Sequence, residues 1–110
     1  MNSRTRMLLA ATGMGLALWT VQAANVNELW TKNCGSCHGK DGRAKTPAGR
    51  KAGALDLTDP KVQEKFTDEQ MFKAVKEGVK DGDKTKMKPA ETLTDAEIRK
   101  LIGFVRSLKK

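Results

Sequence analysis

Cys34-Gly35-Ser36-Cys37-His38 is the stretch on which the reading of this chain turns. Two thiols three positions apart at the end of a helix can each add to one vinyl group of a haem. The residue that follows then points its imidazole at the iron from one side. Three other readings compete. A disulfide across two intervening residues closes a very small ring and stabilises little by loop entropy. A thioredoxin-like redox pair needs a βαβ pattern, and none is present. A zinc site needs a fourth ligand, and the chain has only these two Cys and one His. The adjacent His38 favours haem.

Upstream of the motif, Arg4 and Arg6 precede an uncharged apolar run from Met7 to Trp19, and small residues follow at Ala23 and Ala24. A basic n-region, a short h-region and a small-residue exit form a secretory signal, with cleavage expected after Ala23. The thirteen residues of the run are short of the roughly 20 that a membrane-spanning helix needs. No Cys near the cleavage point offers a lipid site. The expected organisation is a cleavable signal peptide over 1–23 and a single domain over 24–110, because 110 residues are too few for two independent cores.

Removing Arg4 and Arg6 from the 21 basic residues leaves 19 against 13 acidic ones, a net charge of +6. Such a balance suits nucleic acid, an anionic membrane or an acidic protein, and secretion argues against nucleic acid. The mature part has no Tyr, one Trp (Trp30) and three Phe. That core is marginal by area, and a buried porphyrin would fill it.

Helix starts are marked by Asn25 before Glu28, Thr67 before Gln70 and Thr94 before Glu97, each an N-cap with its N3 partner. The first helix is expected over Val26–Asn33. A short one opens at Pro60 after Asp59 and reaches Lys65, and the next runs from Asp68 to Glu77 and stops at Gly78. In the last, Ile98, Leu101, Ile102, Val105 and Leu108 recur at three- and four-residue steps. It is expected to pack on the first helix, with Gly103 allowing close approach. Gly39 to Leu57 and Lys80 to Leu93 show no period-2 pattern and read as loops long enough to carry function.

With no second histidine, the sixth iron ligand is Met, Lys, a small molecule or nothing. Met71 lies on an apolar helical face beside Phe72 and Val75, where packing explains it. Met87 sits in the polar run Lys86-Met87-Lys88-Pro89, where packing does not, and Pro89 stiffens it. Met87 is therefore the expected distal ligand. His/Met ligation raises the potential and leaves no open site, which favours electron transfer over catalysis.

On these residues the chain resembles the class I monohaem cytochromes c of bacteria. The resemblance runs in order through Leu29-Trp30, Cys34 to Gly39, Asp56-Leu57-Thr58, Thr67 to Gln70 with Gly78, Met87 and Leu93-Thr94-Asp95. It implies an all-α cytochrome c fold of three to five short helices around one covalently bound haem c and its iron, with the N- and C-terminal helices crossing. It also implies that Trp30 packs near Gly103 and Phe104, and that a Pro after the motif, here Pro47, offers its carbonyl to the proximal His. Two departures stand out. Lys88 follows Met87 where many relatives have Pro, and with no Tyr the haem propionates are left to Arg50, Lys51 or Trp30.

The expected function is that of a periplasmic electron carrier and not an enzyme, a monomer with no stable membrane insertion. Lys84, Lys86 and Lys88, with Lys40, Arg43 and Lys45, would meet acidic redox partners. The rivals are a haem enzyme or gas sensor with an open distal face, and a haem subunit of a larger dehydrogenase or oxidase.

Overall fold

Helix α1, Val26–Asn33, begins at Asn25, whose side chain accepts from the Asn27 amide at 3.0 Å. The cap is real, but it reaches the second amide of the helix and Glu28 returns no bond, so the expected reciprocal pair does not close. This is a computed structural model; it describes Gly13, Gly15 and residues 25–110. Apart from those two glycines, the signal segment and its cleavage point lie outside the described residues.

Five more helices follow: α2 (Gly35–His38), α3 (Pro47–Ala52), α4 (Pro60–Glu64), α5 (Asp68–Glu77) and α6 (Asp95–Ser107). The other two expected capping boxes close. The Thr67 hydroxyl accepts from the Gln70 amide at 3.1 Å while Gln70 accepts from the Thr67 amide at 2.9 Å. Thr94 and Glu97 repeat the exchange at 3.2 and 3.0 Å. Each cap contributes about 1 kcal/mol.

The apolar stripe of α6 decides the packing. Ile98, Leu101, Ile102 and Val105 are buried, and α1 crosses it so that Leu29, Trp30 and Cys34 form one cluster with Leu101 and Val105. Met71 and Phe104 pack against this cluster as half-buried neighbours, which gives Met71 the packing role expected of it. Gly103 does not mediate the crossing: it is exposed, and a Cβ there would meet nothing within 4 Å. It stands off the Ile98–Val105 stripe.

Polar ties hold the α4–α5 corner onto α6. The Gln63 amide donates to the carbonyls of Leu57 and Val105, both at 2.8 Å. Arg106 reaches Asp68 at 2.9 Å and the carbonyls of Gln63 and Phe66 at 2.7 and 2.6 Å. Burying the Gln63 amide is tolerable because it finds both acceptors.

Among the described residues there are six helices, beyond the three to five expected, and two stretches expected to be loops hold structure. In 39–57, Thr46 caps α3, Pro47 occupies its first turn and Gly53, at φ +71°, ends it; Thr-Pro followed by Gly is a helix signal at both ends. In 80–93 there is an antiparallel hairpin of β1 (Val79–Asp81) and β2 (Lys84–Met87). Gly82, at φ +60°, takes the first position of its two-residue turn, the type II′ pattern. Every residue of the hairpin except Met87 is exposed, so no alternation of apolar and polar residues announced it. The mostly helical character and the terminal crossing stand.

Candidate haem site

Cys34 closes α1 and opens α2. Its amide donates to the Trp30 carbonyl at 2.8 Å, and its own carbonyl accepts from His38 at 2.9 Å. The motif is thus one helical turn, continuing almost directly from α1. Positions i, i+3 and i+4 share a face of a helix, so this spacing sets both thiols and the imidazole on one side. Gly39, at φ +75°, then turns the chain away.

Three successive carbonyls at the end of this turn are each taken by a donor from elsewhere. The Thr46 hydroxyl donates to Cys37 O at 2.6 Å, the Ala44 amide to His38 O at 2.8 Å, and the Trp30 indole to Gly39 O at 2.8 Å. Helix ends leave such carbonyls without intrahelical partners, and here the surrounding chain supplies them. Ala44 holds its place at φ +59°, a left-handed conformation that costs a non-glycine residue free energy and is maintained by its surroundings. Gly49 lies so close beneath that a Cβ would overlap the Cys37 carbonyl and stand 2.8 Å from that of Ala44. Neither Thr46 nor Gly49 was evident as a support from sequence; the Thr-Pro pair was the available signal.

Cys34 is buried and Cys37 half-buried, and no disulfide joins them. Burial pushes the Cys34 thiol up to about 11. Burial also lowers the pKa of His38, favouring the neutral imidazole that a metal ligand must be. Its Nδ1 is buried without a hydrogen-bond partner. The Pro47 carbonyl therefore does not accept from it; Pro47 begins α3, where its carbonyl serves the helix. Trp30 is likewise committed to Gly39 and not free for a propionate.

Among the described residues no three His, Cys, Asp or Glu side chains converge as ligands of a bare ion, so the zinc reading has no geometry behind it. A haem fits better. It would take the thiols as covalent tethers and the imidazole alone as protein ligand on that side. Among the described residues it also suits a core of nine buried apolar residues, of which Ile98 alone is a large side chain below 2 % exposure.

Met87 is half-buried at the end of β2 and opposite Val79. The register shifts between Val79 and Lys80, a bulge of the kind that re-aims a side chain. Gly78, at φ +79°, comes so close that a Cβ would lie 2.6 Å from Met87 O and 2.9 Å from the Pro89 ring. The Ala90 amide donates to Val75 O at 2.9 Å. The Met87 segment is thereby fixed to the C-terminal end of α5.

A one-turn CxxCH site carried at the crossing of first and last helices defines a c-type cytochrome. The family model described as cytochrome c oxidase, cbb3-type, subunit III, matches residues 21–105, and the chain belongs to that family. Its cofactor is covalently bound haem c with its iron. Among solved structures it is similar to the KustC0563 c-type cytochrome, at 33% identity over 78% of this chain and 99% of that one, with a TM-score of 0.69. A point mutant of the same cytochrome matches at 33% identity over 76% and 98%, with a TM-score of 0.66. No curated protein matches. No helix among the described residues is long and apolar enough to cross a membrane.

Proposed function

We propose that this cytochrome is a one-electron carrier of the periplasm, tethering its haem through Cys34 and Cys37 and ligating the iron with His38 and Met87. The observation that carries the reading is the pairing of a rigidly held imidazole turn with a methionine fixed by contacts that leave its side chain outside the core cluster. The bound haem supplies the ferric–ferrous couple, at a potential raised by thioether ligation.

The protein's own part is to keep both ligands still. Cys37, His38 and Gly39 are held by their carbonyls, and the Met87 segment is held by Gly78 and Val75. Ligands that do not move between oxidation states keep the reorganisation small. Lys84, Lys86 and Lys88 around Met87, with Lys40, Arg43 and Lys45 after the motif, offer positive charge to acidic redox proteins. None of these six forms an ion pair among the described residues; the four pairs present lie within and between α5 and α6. The protein acts as a monomer, without nucleic acid or stable membrane insertion.

The description of the matching family gives specific weight to a second reading, a haem subunit held by a larger oxidase or dehydrogenase. Optical and redox titration of the purified holoprotein tests the first. The expected result is a low-spin ferric spectrum with the near-infrared band of a Met–iron bond, unresponsive to carbon monoxide in the ferrous state and converted to high spin by Met87→Ala. A high-spin spectrum in the wild type overturns it. Co-elution with an enzyme activity at high salt would establish the subunit instead.

A further inference from the structure

Trp30 does more than fill the helix crossing. Its indole is 3 % exposed, lies one turn before Cys34 and meets two rings. The His38 imidazole is at 5.7 Å between centroids with a 39° tilt, and Phe104 of α6 is at 5.2 Å with a 43° tilt. Both separations fall in the range of favourable ring pairs. The indole N–H meanwhile donates to Gly39 O at 2.8 Å, the peptide directly after His38. One side chain thus touches the ring of the ligand and holds the main chain that follows it. Phe104, from the far end of the domain, backs it.

From this contact we infer that Trp30 is a positioning residue for His38, setting the tilt of the imidazole and hence the ligand field and potential of the iron. The inference rests on His38 being the axial ligand. A buried indole serves here because it is rigid and carries one donor; an aliphatic side chain would fill the space without directing the imidazole. Its neighbour Leu101 lies in the same buried cluster and, being aliphatic, offers the imidazole neither an aromatic ring nor a hydrogen bond. Leu101 therefore separates positioning from packing.

The test compares holoprotein variants by the EPR g-values of the ferric state and by midpoint potential, beside thermal unfolding. Trp30→Phe keeps a ring and removes the N–H; Trp30→Leu removes both. The expected result is a shift of the largest g-value and of the potential in Trp30→Phe, larger in Trp30→Leu, while Leu101→Ala lowers Tm and leaves both readouts in place. Should Trp30→Leu not fold, Phe104→Leu replaces it and is expected to move the same readouts in the same direction. Trp30 variants that unfold earlier with unchanged g-values and potential would overturn the inference, as would an equal shift in Leu101→Ala. If the wild type is low-spin and stays so in His38→Gly, the ligand assignment itself fails. Unresponsive Trp30 variants in a low-spin protein that loses its spectrum in His38→Gly overturn the positioning role alone.

Discussion

A methyl group on Gly78 would stand 2.6 Å from the carbonyl oxygen of Met87. The glycine after α5 therefore sets where the methionine segment lies, and its φ of +79° independently disfavours any side chain. Gly78→Ala is expected to destabilise the holoprotein by about 1 kcal/mol or more. Under the proposed His38/Met87 ligation it should also weaken the Met–iron bond, read as partial high-spin character in the ferric spectrum. Gly82→Ala is the control: its Cβ would meet nothing within 4 Å, and it should leave the spectrum alone.

Thr46 serves two structures with one hydroxyl, accepting from the Gly49 amide at 2.9 Å and donating to Cys37 O at 2.6 Å. Thr46→Val keeps the shape and loses both. The expected cost is about 1–2 kcal/mol in urea unfolding at unchanged m-value. Thr46→Ser should recover most of it.

Asp56 accepts from both the hydroxyl and the amide of Thr58, at 2.6 and 2.9 Å. These bonds, with the charges of Arg43 and Lys45, hold its carboxyl below the usual carboxylate range. The folded state therefore favours the charged form. The stability this adds is complete above the ordinary value near 3.8 and is lost as pH falls through the lowered one. Thermal unfolding should find wild type above Asp56→Asn by a constant margin at neutral pH, and the margin should close below about pH 4.

Reversing the hairpin charges in Lys84→Glu, Lys86→Glu and Lys88→Glu together should slow electron exchange with an acidic protein by about tenfold or more at low ionic strength. Stopped-flow rates should converge with those of wild type as salt rises past roughly 0.1 M, where the Debye length is about 10 Å. Exchange with an uncharged small-molecule reductant should not change.

Helices with strong end signals were legible: α5 and α6 follow from Thr67, Gln70, Thr94 and Glu97, and the buried stripe of α6 from its own spacing. The grouping of Cys34, Cys37 and His38 on one helical turn was legible because it depends on local spacing alone. What escaped depends on main chain. The hairpin is made of exposed lysines and aspartates with no apolar period, and its existence rests on backbone pairing and on Gly82. Gly49 and Gly78 matter through atoms they lack, which become visible only when Cys37 and Met87 lie against them. The Pro47 expectation failed because Pro47 starts a helix that a loop reading of 39–57 left out.

The contact between Trp30 and Phe104 joins residues from opposite ends of the domain and closes a loop of about seventy residues. Closing so long a loop carries an entropic cost that must be met before the contact returns anything, whereas the hairpin and the capped helices form from neighbours in sequence. Contacts of that separation are the slow ones in folding. Phe104 backs the indole that meets His38, so the aromatic surface beside the imidazole is complete only with α6 in place.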